Sequence, residues 1–243
     1  MNQVPEFSIV VPVYNEAGAV GALADEIAEA LDGRAYEMIF VDDGSSDHTQ
    51  AVLAELKSRH PALRAISHRR NAGQSRAIRT GVLHARAPVI GTLDGDGQND
   101  PADLPALYRE LTRPDAPGDL ALVMGERRRR QDSIWRRLSS SLANAVRQFL
   151  LKDGARDSGC GAKAFRREVF VELPYFDHMH RYMPALVRAE GYSVAFMPVN
   201  HRPRASGVSK YTNAGRLMNA LADLRGVAWL ARRRRGFGGS EEI

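Results

Sequence analysis

Phe7-Ser8-Ile9-Val10-Val11-Pro12-Val13, followed by Tyr14-Asn15-Glu16, opens the chain with a strand-length run that is almost continuously apolar. A strand apolar on both faces belongs in a parallel sheet covered by helices on either side. The next residues agree. From Asn15-Glu16 a helical pattern carries apolar residues at Val20, Leu23, Ile27 and Leu31, and Gly33 stops it. Tyr36-Glu37-Met38-Ile39-Phe40-Val41 reads as a second strand and ends in Asp42-Asp43-Gly44-Ser45. Ser46 or Asp47 is placed to cap a second helix bearing Val52, Leu53 and Leu56, which His60-Pro61 ends. A third strand over Leu63–Ser67, a helix over Gln74–Ala85 and a fourth strand over Val89–Leu93 complete the series. This β-α-β-α-β-α-β order predicts an α/β fold: a mostly parallel, twisted sheet with right-handed crossovers, flanked by helices, in a single domain.

Beyond residue 100 the pattern loosens. A short helix is expected over Pro101–Leu111, a strand over Leu120–Met124, a helix over Ile134–Leu151 broken at Gly154, and core residues at Lys163-Ala164-Phe165. A helix over Arg181–Glu190, a late strand over Val194–Val199 and a final helix over Thr212–Ala231 follow. No internal repeat and no clear linker divides the chain. Its expected organisation is one main domain over 1–211 and a C-terminal amphipathic helix with a basic tail over 212–243.

In open parallel sheets ligands bind beyond the carboxyl ends of the strands. Tyr14-Asn15-Glu16, Asp42-Asp43 and Asp94-Gly95-Asp96-Gly97-Gln98 all fall at those ends. Two carboxylates one residue apart repel unless a cation sits between them. Mg²⁺ and Mn²⁺ share a few carboxylates with substrate phosphates. Asp94 and Asp96, with Gln98 as a further oxygen donor, therefore read as a seat for a metal–diphosphate; taken alone, the same residues could be a solvated polar loop. The first turn, Val13-Tyr14-Asn15-Glu16, lacks the Gly-x-Gly-x-x-Gly of a dinucleotide-binding oxidoreductase.

The 243 residues are 44% hydrophobic and 26% charged, an ordinary globular composition. One cysteine, Cys160, excludes an internal disulfide framework and points to a reducing compartment. No stretch approaches the ~18 apolar residues of a membrane span, and no N-terminal signal is visible. The net charge is +5, with arginines clustered at 127–130, 136–137, 166–167 and 232–235. Such clusters serve phosphates or anionic lipid, or form a solvated face. Nucleic acid is disfavoured: aromatics are only 7%, and stacking aromatics are not interleaved with the basic runs.

At this point a resemblance enters. Pro12-Val13-Tyr14-Asn15-Glu16, Val41-Asp42-Asp43-Gly44-Ser45-Ser46-Asp47 and Leu93-Asp94-Gly95-Asp96-Gly97-Gln98 are similar, in order and spacing, to glycosyltransferase family 2, which has the GT-A fold. Asn71-Ala72-Gly73-Gln74 resembles the family's helix start. Asp157-Ser158-Gly159-Cys160-Gly161 and Ser206-Gly207-Val208-Ser209-Lys210-Tyr211 resemble the dolichyl-phosphate mannosyltransferase branch and its bacterial polyprenyl-phosphate relatives. One such motif is weak evidence; six in order are strong.

The resemblance implies an inverting, metal-dependent transfer of a hexosyl group from a nucleotide-diphospho-sugar to a polyprenyl or dolichyl phosphate, with GDP-mannose the leading donor and UDP-sugars open. It implies that Pro12, Tyr14, Glu16, Asp42, Asp43 and Asp94 hold the nucleotide, and that Asp94, Asp96 and Gln98 hold Mg²⁺ or Mn²⁺. Asp96, Arg127, Arg137 and Lys210 are the expected catalytic groups, the cations neutralising the leaving diphosphate. Arg202, Arg204 and Ser209 are expected in a basic loop that closes over phosphate. Family members that act on hydroxyls carry an acidic pair for deprotonation; Asp157-Ser158-Gly159-Cys160 has none, which fits an acceptor phosphate already ionised at neutral pH. A sugar or lipid hydroxyl acceptor, and a non-catalytic nucleotide-sugar-binding role, are the alternatives.

Many relatives carry C-terminal membrane spans. Here Leu217, Leu221, Leu224 and Ala228 share a helical face, with Trp229 and four arginines after it. That face suits an anionic membrane surface, packing on the domain's own core, or a separate integral-membrane partner. The expectation is a cytoplasmic protein held peripherally on the cytoplasmic face of the membrane.

Overall fold

A computed structural model describes residues 4–127, 147–203 and 213–234, with side chains in the last segment from 221. Seven strands form one sheet in the order β3-β2-β1-β4-β6-β5-β7. The strands are β1 (Phe7–Val13), β2 (Tyr36–Asp42), β3 (Leu63–Ser67), β4 (Val89–Thr92), β5 (Leu120–Arg127), β6 (Lys163–Arg166) and β7 (Ser193–Val199). The helices are α1 (Val20–Ala30), α2 (Thr49–Arg59), α3 (Gln74–His84), α4 (Leu104–Thr112), α5 (Arg167–Glu172), α6 (Met183–Ala189) and α7 (Asn213–Arg233), with a further helical stretch at 147–151. Single 3₁₀ turns precede α4 and α6.

The first hundred residues fold as their periodicity predicts. β1 is buried along its whole length and pairs in parallel with β2 and β4. Its alternate residues face two separate cores. Ile9, Val11 and Val13 meet Val20, Leu23 and Ile27 of α1 on one side. Val10, with Ile39 and Val41 of β2, meets Ala77, Ile78 and Val82 of α3 on the other. This two-sided burial is why β1 reads as continuously apolar.

The later half adds one element that breaks the parallel pattern. β6 lies antiparallel between β4 and β5 and pairs with both. Ile90 faces Phe165, and Phe165 in turn faces Leu122. β7 then joins β5 in parallel at the sheet edge.

Two local expectations need correcting. α1 begins at Val20, not at Asn15-Glu16, and Ala19 at its cap position makes no side-chain bond. Asn15 sits instead at φ +56°, a left-handed conformation that asparagine tolerates. Its Oδ1 accepts from the Ser46 amide at 2.8 Å, stitching the loop after β1 to the loop after β2. Nor does Ser46 cap α2. His48 occupies the cap position without a side-chain bond, and Asp47 accepts from the Thr49 amide at 2.9 Å one residue earlier.

Candidate active site

The site lies at the carboxyl ends of β1, β2, β4 and β5. The loop after β4 is held by its own side chains. The Asp94 amide donates to Asn99 Oδ1 at 2.9 Å, and the Gln98 amide donates to Asp96 Oδ1 at 3.1 Å across Gly97. Asp94 Oδ1 accepts from Gln74 Nε2 at 2.7 Å. Burial pushes the Asp94 carboxyl up, Lys163 opposes that shift, and the neighbouring Asp96 adds to it.

The Asp42-Asp43 pair is buried and already bonded. Asp42 accepts from the Ser45 amide at 3.1 Å and from Gln50 Nε2 at 2.7 Å. Asp43 accepts from the Ala72 and Gly73 amides at 2.9 and 2.7 Å and is joined to His68 Nδ1 at 2.7 Å. These are the first amides before α3, so the carboxylate sits where a helix start favours negative charge. Gly44, at φ +72°, leaves room for this arrangement: an added Cβ would lie 2.7 Å from the Arg70 backbone. One chain of bonds thus runs from Asp43 through the start of α3 and Gln74 to Asp94. Pro12 is buried in β1, Tyr14 is 41% exposed beyond it, and the Glu16 amide donates to Thr49 Oγ1 at 3.0 Å.

The arginines differ most from expectation. Arg127, at the end of β5, gives Nε and Nη2 to Asp157 at 2.5 and 2.6 Å. Two edges of its fork are therefore committed to a carboxylate, a bidentate pairing that fixes the guanidinium in place. Arg202, expected in a loop over phosphate, gives its terminal nitrogens to Glu26 at 2.6 Å and Asp100 at 2.8 Å. Its amide donates to Gln98 O at 2.9 Å, and Gln98 Nε2 lies 3.5 Å from the Arg202 carbonyl. Arg202 thus anchors the segment after β7 to the Asp94–Gln98 loop, because two carboxylates claim its charge. Arg137, Arg204, Ser209 and Lys210 lie outside the described residues.

Five residues near the cleft were not singled out from the sequence for the positions they hold. Gly161 lies directly beneath the acidic loop: an added Cβ would come 2.4 Å from Asp94 Oδ2 and 2.6 Å from Asn99 Oδ1. The Gly161 carbonyl accepts from Thr92 Oγ1 at 2.7 Å. Lys163 is 3% exposed and its ammonium donates to the Cys160 carbonyl. Burial lowers its pKa, and Cys160, Asp94 and Asp157 act against that shift. One charged residue inside Gly161-Ala162-Lys163-Ala164-Phe165 was the available signal. Ser75 and His180 form a buried pair at 2.7 Å, and burial holds the imidazole well below its usual pKa, so it is neutral at pH 7. His201 follows β7; its Nδ1 is buried without a hydrogen bond, and burial, then Arg127, lowers its pKa while Asp157 and Asp96 oppose that shift.

The family model for glycosyl transferase family 2 matches residues 8–173. The chain belongs to glycosyltransferase family 2. It is 36% identical over 233 residues to the dodecaprenyl-phosphate galacturonate synthase of Rhizobium johnstonii, covering 93% of this chain and 68% of that protein. It is 34% identical over 221 residues to the undecaprenyl-phosphate 4-deoxy-4-formamido-L-arabinose transferase of Edwardsiella ictaluri, covering 89% of this chain and 66% of the relative. The chain thus spans about two thirds of these proteins' length. Among solved structures, glucosyl-3-phosphoglycerate synthase from Mycobacterium tuberculosis, crystallised with Mg²⁺ and UDP, superposes with a TM-score of 0.70 at 17% identity over 93% of this chain and 79% of that one. That likeness places this family 2 glycosyltransferase in the GT-A fold, as its motifs implied.

Proposed function

We propose that the protein transfers a glycosyl group, with inversion, from a nucleoside-diphosphate sugar to a polyprenyl phosphate, working peripherally on the cytoplasmic face of a membrane, with residues 1–211 as the transferase domain. The observation that carries this reading is the state of Asp157. By the resemblance it falls in the segment where hydroxyl-directed members carry their acidic pair, yet it is 8% exposed and held bidentately by Arg127. An acid so engaged is poorly placed to take a proton. An acceptor phosphate, ionised at neutral pH, needs none taken. The polyprenyl-phosphate relatives support the same acceptor class. The sugars in those relatives' names are a galacturonate and a formamido-arabinose, so GDP-mannose loses its lead and UDP-sugars stand beside GDP-sugars as donors.

A divalent cation, Mg²⁺ or Mn²⁺, fits the site. Among the described residues no three His, Cys, Asp or Glu side chains already converge, so the side chains that hold such a cation would be drawn together on it with the substrate phosphates. Asp94 and Asp96 would supply the carboxylates, Gln98 a further oxygen, and the unbonded His201 Nδ1 a nitrogen. Such a cation, when bound, neutralises charge on a departing diphosphate. The chain's own part is positioning: Gln74 and Asn99 orient Asp94, the Gln98 amide orients Asp96, and Asp157 holds Arg127 at the cleft wall. Asp42, Asp43, Glu16 and Tyr14 form the nucleoside end, with Arg137, Arg204, Ser209 and Lys210 proposed at the phosphates and the acceptor.

The test uses purified protein, Mn²⁺ and a panel of UDP- and GDP-sugars with and without polyprenyl phosphate, following nucleoside diphosphate release. Release with one of these donors that depends on the lipid phosphate is the expected result; release stimulated equally by a lipid alcohol would overturn the acceptor assignment. His201→Ala is expected to raise the Mn²⁺ concentration giving half-maximal activity by about 10-fold to 100-fold. An unchanged metal titration would remove His201 from the cation site.

A further inference from the structure

α7 presents two faces, and they are not the ones its sequence pattern divides. Leu224 and Val227 are buried in the same core as Ile78, Val82 and Leu186, and Ala228 is buried next to them. The outward face carries Leu221, 46% exposed, and Trp229, 59% exposed, with Arg225, Arg232 and Arg233 exposed beside them. Positions 221, 225, 229 and 232–233 recur at helical spacing and form one stripe. Phe149 of the neighbouring helical stretch is 80% exposed. Leu150, Arg225, Ala228, Trp229, Arg232 and Arg233 line a slot of about 380 Å³.

The cations of this slot contrast with four arginines elsewhere that are paired. Arg34, Arg113, Arg127 and Arg202 each face a carboxylate. Arg225, Arg232 and Arg233 have no carboxylate within ion-pair distance among the described residues, and the Arg233 guanidinium lies 5.8 Å from the Trp229 ring centre. An apolar protein surface docked here would desolvate three unpaired guanidinium groups at high cost. Anionic headgroups would pair with them while the indole and the Leu150 floor meet the upper acyl chains, the arrangement of an interfacial helix.

The slot is also remote from the chemistry. Arg234 at the end of α7 pairs with Glu190, which closes α6 just before β7 starts. β7 starts beside Leu120 at the beginning of β5, whereas Arg127 stands at the end of β5.

We propose that the Leu221–Arg233 stripe of α7, with Phe149 and Leu150, docks on the anionic phospholipid surface of a bilayer, at a place separate from the catalytic cleft. This deepens the polyprenyl-phosphate reading above, which puts the acceptor in a membrane. The test is co-sedimentation of the full chain with vesicles free of polyprenyl phosphate. Vesicles containing phosphatidylglycerol should bind and pure phosphatidylcholine vesicles should not. Replacing Arg225, Arg232 and Arg233 together by Gln should weaken binding about 100-fold, taking each basic residue's attraction to an anionic surface at its usual size. Trp229→Ala should weaken it as well. Both variants should keep the parent rate toward a short, water-soluble prenyl phosphate and lose rate only with acceptor embedded in vesicles. Equal binding to both vesicle types, or parental binding by the triple variant, would overturn the proposal. So would binding to protein-containing membranes but not to pure lipid, which would assign the stripe to a membrane protein. If no prenyl phosphate accepts sugar in solution, the transfer reading fails while the vesicle measurements still decide the stripe.

Discussion

Asp96→Ala is expected to lower sugar transfer about 1,000-fold, the upper range for removing one group that stabilises charge in the transition state. The fold should survive, because Asp96 is half-buried in the loop after β4 and takes no part in the apolar core. Asp96→Asn separates charge from shape. It keeps an oxygen for that amide yet loses the carboxylate, so it should fall nearly as far as the alanine variant. Nucleoside diphosphate release measured beside thermal melting decides the matter. Transfer near the parental rate in either variant would overturn the assignment of the acidic loop to the metal–diphosphate, and a large fall in melting temperature would assign Asp96 to the fold instead.

Gly161→Ala should cost about 100-fold in transfer, although it adds one methyl group to a residue outside the acidic loop. The added Cβ would lie 2.4 Å from the Asp94 carboxylate, and the Gly161 carbonyl is fixed by Thr92, so the strand cannot yield freely. Asp94 must then move by about an ångström, a displacement that typically costs two orders of magnitude. The expected signature is a higher metal requirement and lower kcat/KM, with a melting temperature changed much less than in a core variant. Parental metal dependence in this variant would show that Asp94 tolerates the shift and does not set the geometry of the site.

Much of this architecture was legible in the sequence, for physical reasons. β1, β2 and β4 are buried on both faces, so their composition alone marks them, and chain direction then puts Asp42, Asp43, Asp94 and Asp96 on one edge. The bonds made at that edge were not legible. Asn15 looked like a helix start because asparagine is common there; its left-handed backbone and its bonds to Ser46 depend on a loop 31 residues away. Arg127 and Arg202 looked like phosphate ligands because charge is visible in a sequence and its partner is not. Asp157 lies 30 residues from Arg127, and Glu26 lies 176 residues from Arg202. Lys163 and His201 were passed over for the same reason: a lone basic residue gains meaning only from what the sheet lays beside it. α7 was read as amphipathic, but which of its apolar residues face inward is set by packing against the core, and no period in the sequence assigns them.

The antiparallel strand β6 also bears on how the enzyme is made. When the first hundred residues have left the ribosome, β1 to β4 can already pair, but the outer side of β4 has no neighbour until Lys163–Arg166 arrives. For some seventy residues of synthesis the nascent sheet ends in an open edge, the kind of surface that invites pairing with another chain. The turn that underlies Asp94 and grips Arg127 is delivered by that same late strand. Closing the sheet and completing the catalytic centre are therefore one event, and a chain halted before β6 would be prone to aggregate and inactive for a single topological reason.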